Sequence, residues 1–280
     1  MRSSALFAKF CGVAACLAAL PAVQAQDGPA AALPLWEIGA LGFGVSQQAY
    51  PGADEQVNRG LVLPFLIYRG QFLRADRETA GLRAVKTRRM ELDIGFAGAF
   101  GADSDEVEAR RGMPDLGTLV EFGPRIKWQL GDGPAGGRWR LELPLRGVFD
   151  LSDRLAHRGM AFEPEIVYER RASGRWAYSA SASAVIGDRR LADTLYGVAP
   201  VHARPDRPAY AAGSGLIAWR LGASFSYQPA RDWRLFGFAR IDTVEGAANR
   251  GSPLVRQNTG ASVGVGVTYT WLRSQRAAFD

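Results

Sequence analysis

The sequence predicts an all-β fold, a transmembrane antiparallel up-and-down β-barrel of about twelve strands that follows a cleaved signal peptide. Three observations predict it. Apolar and polar residues alternate with a period of two through long segments, as they do when successive side chains point to opposite faces of a strand. Aromatic residues gather near the ends of the apolar stripes. The connections between segments alternate between long and short.

The first element is residues 1–25, which read as a secretory signal. Arg2 and Lys9 give a positive n-region, residues 10–20 form the apolar h-region, and Pro21 breaks it. Val23-Gln24-Ala25 supplies the small-residue cleavage pattern, so cleavage after Ala25 is expected. A buried N-terminal helix is the competing reading. Cys11 and Cys16 both fall inside this segment, so the exported chain is expected to lack any thiol for a disulfide, a nucleophile or a metal. Val13-Ala14-Ala15-Cys16 resembles a lipobox, but only six residues separate Lys9 from Cys16, which is short for an h-region. The net charge of +6 falls to +4 once Arg2 and Lys9 are removed. Arginine is interspersed with Asp and Glu along the whole chain, so there is no basic block to bind nucleic acid.

Residues 26–34 form a short lead, 35–271 the barrel, and 272–280 a C-terminal extension. No segment after the signal reaches the roughly 20 continuous apolar residues of a membrane helix. Spanning a membrane then requires a closed barrel, which pairs every backbone N–H and C=O. Strands are expected near 35–46, 60–69, 71–77, 80–85, 89–100, 117–130, 137–149, 160–170, 175–187, 215–228, 232–241 and 260–271. In 118–130 one face is Val120, Phe122, Pro124, Ile126, Trp128 and Leu130, and the other is Leu119, Glu121, Gly123, Arg125, Lys127 and Gln129. In 138–149 Trp139, Leu141, Leu143, Leu145 and Phe149 alternate with Arg138, Arg140, Glu142 and Arg146. In 217–227 Ile217, Trp219, Leu221, Phe225 and Tyr227 alternate with small residues and Arg220. In 262–271 Val263, Val265, Val267, Tyr269 and Trp271 alternate with Ser, Gly and Thr.

A soluble sandwich also alternates, but these strands run to about 10 to 13 residues, against a usual 5 or 6. A tilted transmembrane strand needs about 9 to 11. Trp128, Trp139, Trp176, Tyr227, Trp233 and Trp271 form the expected interfacial girdle. With both termini in the periplasm, the long connections 47–59, 101–116, 150–159, 188–214 and 242–259 lie outside. The short ones at 70, 86–88, 131–136, 171–174 and 229–231 lie inside, and only 78–79 is both short and external. Gly131-Asp132-Gly133-Pro134, Ser173-Gly174 and residues 228–232 have turn chemistry. After the signal there is almost no helical periodicity.

Several short stretches stand in order over most of this chain. They are Tyr50-Pro51-Gly52-Ala53-Asp54-Glu55, Leu63-Pro64-Phe65-Leu66-Ile67-Tyr68-Arg69-Gly70, Gly112-Met113-Pro114-Asp115-Leu116-Gly117 and Glu121-Phe122-Gly123-Pro124. Pro144-Leu145-Arg146, His157-Arg158-Gly159-Met160-Ala161-Phe162-Glu163-Pro164, Leu195-Tyr196-Gly197-Val198 and Pro208-Ala209-Tyr210 continue the series. In these the chain resembles the MipA/OmpV family of outer-membrane proteins. The resemblance implies a non-enzymatic protein of the cell outer membrane, in contact with its lipid and without cofactor. Its best-known type is a scaffold that links a lytic transglycosylase to a penicillin-binding protein in peptidoglycan remodelling. Other members are porin-like, adhesive or stress-linked. One departure is the ending: Tyr269-Thr270-Trp271 looks like a terminal aromatic strand, yet residues 272–280 follow as an expected periplasmic tail.

Charge on a barrel strand must face the lumen, because Arg or Lys at the lipid midplane costs about 2–4 kcal/mol. The residues placed there are Glu121, Arg125, Lys127, Arg138, Arg140, Glu142, Arg146, Glu163, Glu165, Arg220, Arg234 and Arg240. They line either a water-filled pore or a network of Arg–carboxylate pairs that closes a narrow barrel. The closed network is the preferred reading. His157 and His202 are the only histidines. Ser152, Asp153 and His157 share one outer loop, but three residues of one loop rarely make a catalytic triad. Asp103, Asp105, Glu106 and Glu108 form an acidic loop without EF-hand spacing, so no metal site is expected. Val263-Gly264-Val265-Gly266-Val267 neither follows a strand nor opens a helix, and inward glycines of a barrel strand explain it. The longest loop, 188–214, is placed either folded into the lumen or against a partner. The expected function is a scaffold or structural envelope protein, with a narrow pore for small solutes as the alternative.

Overall fold

The computed structural model describes residues 34–69, 73–75, 80–82, 85–87, 89–172 and 175–278. The signal, most of the lead, the turn at 173–174 and the connection at 78–79 lie outside the described residues. Strand segments β1 (Trp36–Gln48), β2 (Gln56–Arg69), β3 (Leu73–Ala75), β4 (Ala80–Leu82), β5 (Val85–Lys86), β6 (Met90–Ala99) and β7 (Leu119–Asp132) come first. β8 (Arg138–Asp150), β9 (Ala156–Phe162), β10 (Glu165–Ala172), β11 (Trp176–Gly187), β12 (Gly215–Ala230), β13 (Trp233–Thr243) and β14 (Thr259–Arg273) complete the set. A helix, α1 (Arg189–Tyr196), stands between β11 and β12.

All fourteen segments belong to one antiparallel sheet. β1 pairs with β2 on one side and with β14 on the other, in a register from Glu37↔Arg273 to Ser46↔Val263. From β14 the sheet steps back through the chain to β5. β9 and β10 are two parts of one strand, since both pair with β8 and β11. The break falls at Glu163-Pro164, where proline has no N–H to offer a ladder. β4 pairs with β3, and β5 pairs with β6; the two run in the same direction and are two residues apart. Counted as continuous strands, the described segments make the twelve that alternation predicts.

Alternation positions the two faces. Trp219, Leu221 and Val265 stand on one face, all more than half exposed at 53%, 59% and 64%. Arg220, Glu142 and Asp242 stand on the other. No helix among the described residues is long and apolar enough to cross a membrane, which says nothing of strands.

The structure corrects several expectations, among them the start of β2, which lies at Gln56 and not at residue 60. β14 does not stop at residue 271 but runs through Arg273, and the chain then folds back so that Ala277 bridges Pro34 and the Leu35 N–H donates to the Arg276 carbonyl at 2.8 Å. Residues 272–277 therefore finish a strand and lie along the start of β1 instead of trailing away. β12 extends to Ala230, so the turn expected at 228–232 tightens to Arg231 and Asp232. The strand expected to begin at 160 begins at Ala156. Finally, the one α-helix among the described residues, α1, forms in loop 188–214, where helical periodicity was almost absent.

Candidate functional site

The charged face is built as two chains of ion pairs. At the Pro164 break, the Glu163 carboxylate accepts from Arg146 Nη2 and Arg220 Nη1, each at 2.7 Å, and from Ser183 Oγ at 3.1 Å. Arg146 continues to Glu121 at 2.9 Å, and Arg220 to Asp242 at 2.8 Å, where Arg240 also arrives at 3.1 Å. This joins β7, β8, the β9–β10 strand, β12 and β13. In the second chain, Asp93 of β6 receives two bonds from Arg125, at 2.9 and 2.8 Å, and one contact from Lys127 at 2.8 Å. Arg125 also reaches Glu142 at 3.3 Å; Glu142 holds Arg140 at 2.7 Å, and Arg140 holds Glu169 at 2.7 Å. Charges removed from water persist only when paired, and forked Arg–carboxylate contacts are the strongest such pairs.

Nine of the residues expected on this face, Glu121, Arg125, Lys127, Arg140, Glu142, Arg146, Glu163, Arg220 and Arg240, are joined in these chains. Glu165 shares the face, opposite Glu142 and Ser183 in register. Arg234 shares it too, opposite Thr268, with no ion pair among the described residues. Arg138 has the parity of the same face, opposite Glu169 in register, and sits at the exposed first position of β8, at the rim. Sequence reasoning overlooked Asp93, Glu169 and Asp242. Each occupies an alternate position of its strand, so the same parity argument reaches them.

Above this face, at the ends joined by long connections, the loops pack into one cap. Tyr50, Val107, Met113, Leu195, Tyr196 and Leu254, drawn from four different connections, share a single apolar cluster. Ile217, expected on the outward stripe, is drawn into it and is only 1% exposed, because the β11–β12 register shifts there and leaves Ile217 out of the alternation. α1 starts where the Asp188 carboxylate accepts the Leu191 N–H at 2.8 Å, and it buries Leu191, Ala192, Leu195 and Tyr196. Tyr196 donates to the Pro51 carbonyl at 2.9 Å, Tyr50 to the Leu254 carbonyl at 2.8 Å, and their rings meet edge to face at 6.1 Å. Burial pushes both phenols well above their ordinary range.

Two buried arginines staple the cap without any carboxylate. Arg110 donates to Leu195 and Pro114 carbonyls at 3.3 Å and lies 5.9 Å from the Tyr50 ring centre. Arg207 donates to the Ala109 and Arg111 carbonyls at 3.0 Å. Desolvation lowers both guanidinium pKa values. The last carbonyls of α1 have no helical partner, and a cationic donor suits them. Gly159 makes room for the helix start: its φ is +123°, and any side chain there would strike the Asp188 carboxylate. Asp188→Ala is expected to cost about 1 kcal/mol, seen as faster hydrogen exchange confined to α1; unchanged exchange there would show that Asp188 does not hold the helix.

The remaining candidates are each engaged elsewhere. Ser152 Oγ accepts the Thr118 N–H at 3.2 Å, Asp153 pairs with Arg158 at 2.9 Å, and His157 Nδ1 lies 3.2 Å from Arg190 Nη1. His202 serves through its backbone carbonyl, which accepts from Arg207. In the acidic loop the Arg59 guanidinium, 2.6 Å from Glu106, holds that carboxyl below its usual range, and Glu108 pairs with Arg111 at 2.7 Å. Asp103 offers its N–H to Glu106 at 3.1 Å, and Asp105 lies in the short 3-10 turn that follows. Among the described residues no three metal-ligating side chains converge.

The family model of MipA, the MltA-interacting protein, matches residues 39–271, nearly the whole of the sheet and its cap. The chain belongs to the MipA family. No curated protein matches the sequence. Among solved structures, outer membrane phospholipase A from Escherichia coli is 13% identical with a TM-score of 0.37, over 88% of this chain and 94% of that one. An outer membrane channel from Pseudomonas putida F1 is 11% identical with a TM-score of 0.36, over 89% of this chain and 100% of that one. Likeness this slight transfers neither activity nor pore.

In this MipA-family chain the six expected girdle residues, Trp128, Trp139, Trp176, Tyr227, Trp233 and Trp271, all sit toward the ends joined by short turns. They stack on one another and on Tyr168 and Tyr269, which the expected girdle left out. Trp139 packs on Tyr168 at 5.1 Å, Trp176 on Tyr227 at 4.3 Å, and Trp233 on Tyr269 at 4.7 Å. Trp36 and Tyr68 face one another in register at the same level of β1 and β2. The chain therefore carries an aromatic belt at one end and a packed cap at the other.

Proposed function

We propose that this chain is an exported outer-membrane β-barrel, cleaved after Ala25 and occluded at its outer end, that acts as a scaffold for peptidoglycan-remodelling enzymes. The observation that carries this reading is the cap: four long connections share one core instead of leaving an entrance. The ion-paired face beneath it supports the same reading, because charges already bound to each other offer little to a passing solute. The outward apolar stripe and the aromatic belt suit lipid and its boundary. β4 and β5, two residues apart and parallel in direction, are read as one strand that closes the cylinder. Both described ends of the chain lie at the belt end, which in this reading faces the periplasm, where cell-wall enzymes work. The family is named for interaction with MltA, a lytic transglycosylase, and a penicillin-binding protein is the second enzyme proposed. The barrel itself performs no catalysis in this reading and needs no cofactor.

In a planar lipid bilayer the purified protein is expected to insert and stay silent. On a sensor surface it is expected to bind a purified lytic transglycosylase. Reproducible unitary conductance would overturn the occluded scaffold in favour of a solute pore. Insertion with neither conductance nor enzyme binding would remove the scaffold and leave only a structural barrel.

A further inference from the structure

At the capped end of the sheet, two nitrogen bases meet with no anion between them. His157 and Arg190 come together where β9 meets the start of α1, with Arg190 Nη1 3.2 Å from His157 Nδ1. A guanidinium only donates, so Nδ1 accepts, and the ring proton stands on Nε2 as a donor. Nε2 has no hydrogen-bond partner among the described residues, and both residues are exposed. The carboxylates nearby are held elsewhere. Asp150 and Asp153 hold Arg158 at 2.8 and 2.9 Å, and Asp188 caps α1 through the Leu191 N–H. Asp193 accepts the Ala212 N–H at 2.9 Å and stands 3.9 Å from Arg189. Arg189 and Arg190 fill the first turn of α1, where a cation opposes the helix dipole. The helix gains nothing from their charge, which is free to serve something outside it.

The same pair stands at the top of an apolar face. His157 lies opposite Phe149 in register, and its ring packs on that ring at 5.3 Å; Phe149 in turn stacks on Phe122 at 4.7 Å. Phe122 has the outward parity of Ile126 and Trp128 in β7, so the row of three rings runs along the outward face. A register shift between Val148 and Phe149 puts His157 on that face. Without the shift Arg158 would stand there, and it turns instead to the buried Asp150. Below the row, toward the middle of the strands, Leu145, Met160 and Ile186 are exposed on the same face. Donors for an anion thus sit directly above surface suited to hydrocarbon.

We propose that this corner binds a phosphorylated acyl glycolipid of the outer leaflet, with a phosphate on Arg190 and the His157 Nε2–H and acyl chains along Phe122, Leu145, Met160 and Ile186. It rests on the membrane reading above, because the pair meets outer-leaflet headgroups only if the sheet spans the membrane with its capped end outside. A guanidinium forks onto phosphate oxygens, and basic side chains at a membrane boundary draw anionic headgroups. A soluble phosphate would use the two donors and leave the apolar face beneath them untouched. A glycolipid uses both.

The test follows lipid retention by native mass spectrometry of the folded mature protein in detergent micelles, titrated with diphosphoryl lipid A. One lipid A per protein is expected. Arg190→Ala is expected to weaken binding about tenfold, and His157→Phe, which keeps the ring packing and loses the N–H, roughly fivefold. Arg250→Ala, in another loop of the cap and already paired with Glu245 at 2.8 Å, is expected to change nothing. Lipid A stripped of its phosphates is expected to bind at least about tenfold more weakly. Equal binding with and without phosphates, or equal binding by Arg190→Ala, overturns the site. Displacement of lipid A by inorganic phosphate alone overturns the glycolipid as its occupant. Insertion into liposomes is measured separately, and protein that fails to insert overturns the membrane reading on which the site stands.

Discussion

Glu163→Ala is expected to destabilise the folded sheet by roughly 3–5 kcal/mol, the range for removing one partner of a buried ion pair. The size follows from what is left behind. Glu163 balances two guanidinium groups, Arg146 and Arg220, and both are largely shielded from water. Arg146 retains Glu121 and Arg220 retains Asp242, but Asp242 is already shared with Arg240. Deleting one carboxylate thus leaves an excess of positive charge across five strands. Glu163→Gln keeps an acceptor for Ser183 and an isosteric shape, so its loss should approach that of alanine only if charge dominates. Urea unfolding in detergent micelles, followed by tryptophan fluorescence, measures both. A loss below about 1 kcal/mol for alanine would show that water or rearrangement already screens the pair.

Tyr196→Ala is expected to open the cap at a local cost of about 3–5 kcal/mol, the range for emptying a large buried aromatic site. Tyr196 is 1% exposed, touches Tyr50, donates to Pro51, and accepts Ser252 Oγ through its carbonyl at 2.7 Å. Three connections thus meet at one side chain and its backbone. The effect should be regional: amides of α1 and of the loops around Tyr50 and Leu254 exchange faster, while strand amides do not. Tyr196→Phe removes only the bond to Pro51 and should cost about 1 kcal/mol. If alanine leaves protease resistance of the loops intact, the cap is held by its arginine staples and not by this aromatic pair.

The sheet was legible because a transmembrane type of alternation writes both faces into each strand. Glu121, Arg125 and Lys127 fall on one parity of β7, and Phe122, Ile126 and Trp128 on the other, and the observed register keeps them apart. The edges of elements were less legible. β14 gains two residues because β1 continues opposite it, a fact about a partner more than two hundred positions away and not about local composition. The cap escaped for a different reason. Its residues are ordinary loop residues, and their cohesion depends on which loop tips the strands bring together. α1 itself carried a readable signal, an Asp followed by Leu191, Ala192, Leu195 and Tyr196 at helical spacing, but eight residues are too few to stand out from a long connection. Arg110 and Arg207 had no signal at all, since their partners are backbone carbonyls.

The meeting of β1 with β14 bears on how such a molecule comes into being. Ser46 finds its neighbour in Val263, so the earliest strand waits for the latest before its hydrogen bonds are complete. Until then a growing or travelling chain presents a sticky, half-satisfied margin that any other polypeptide could zip onto. Partial products are thus not smaller versions of the protein but aggregation hazards, and assembly is obliged to be all or nothing.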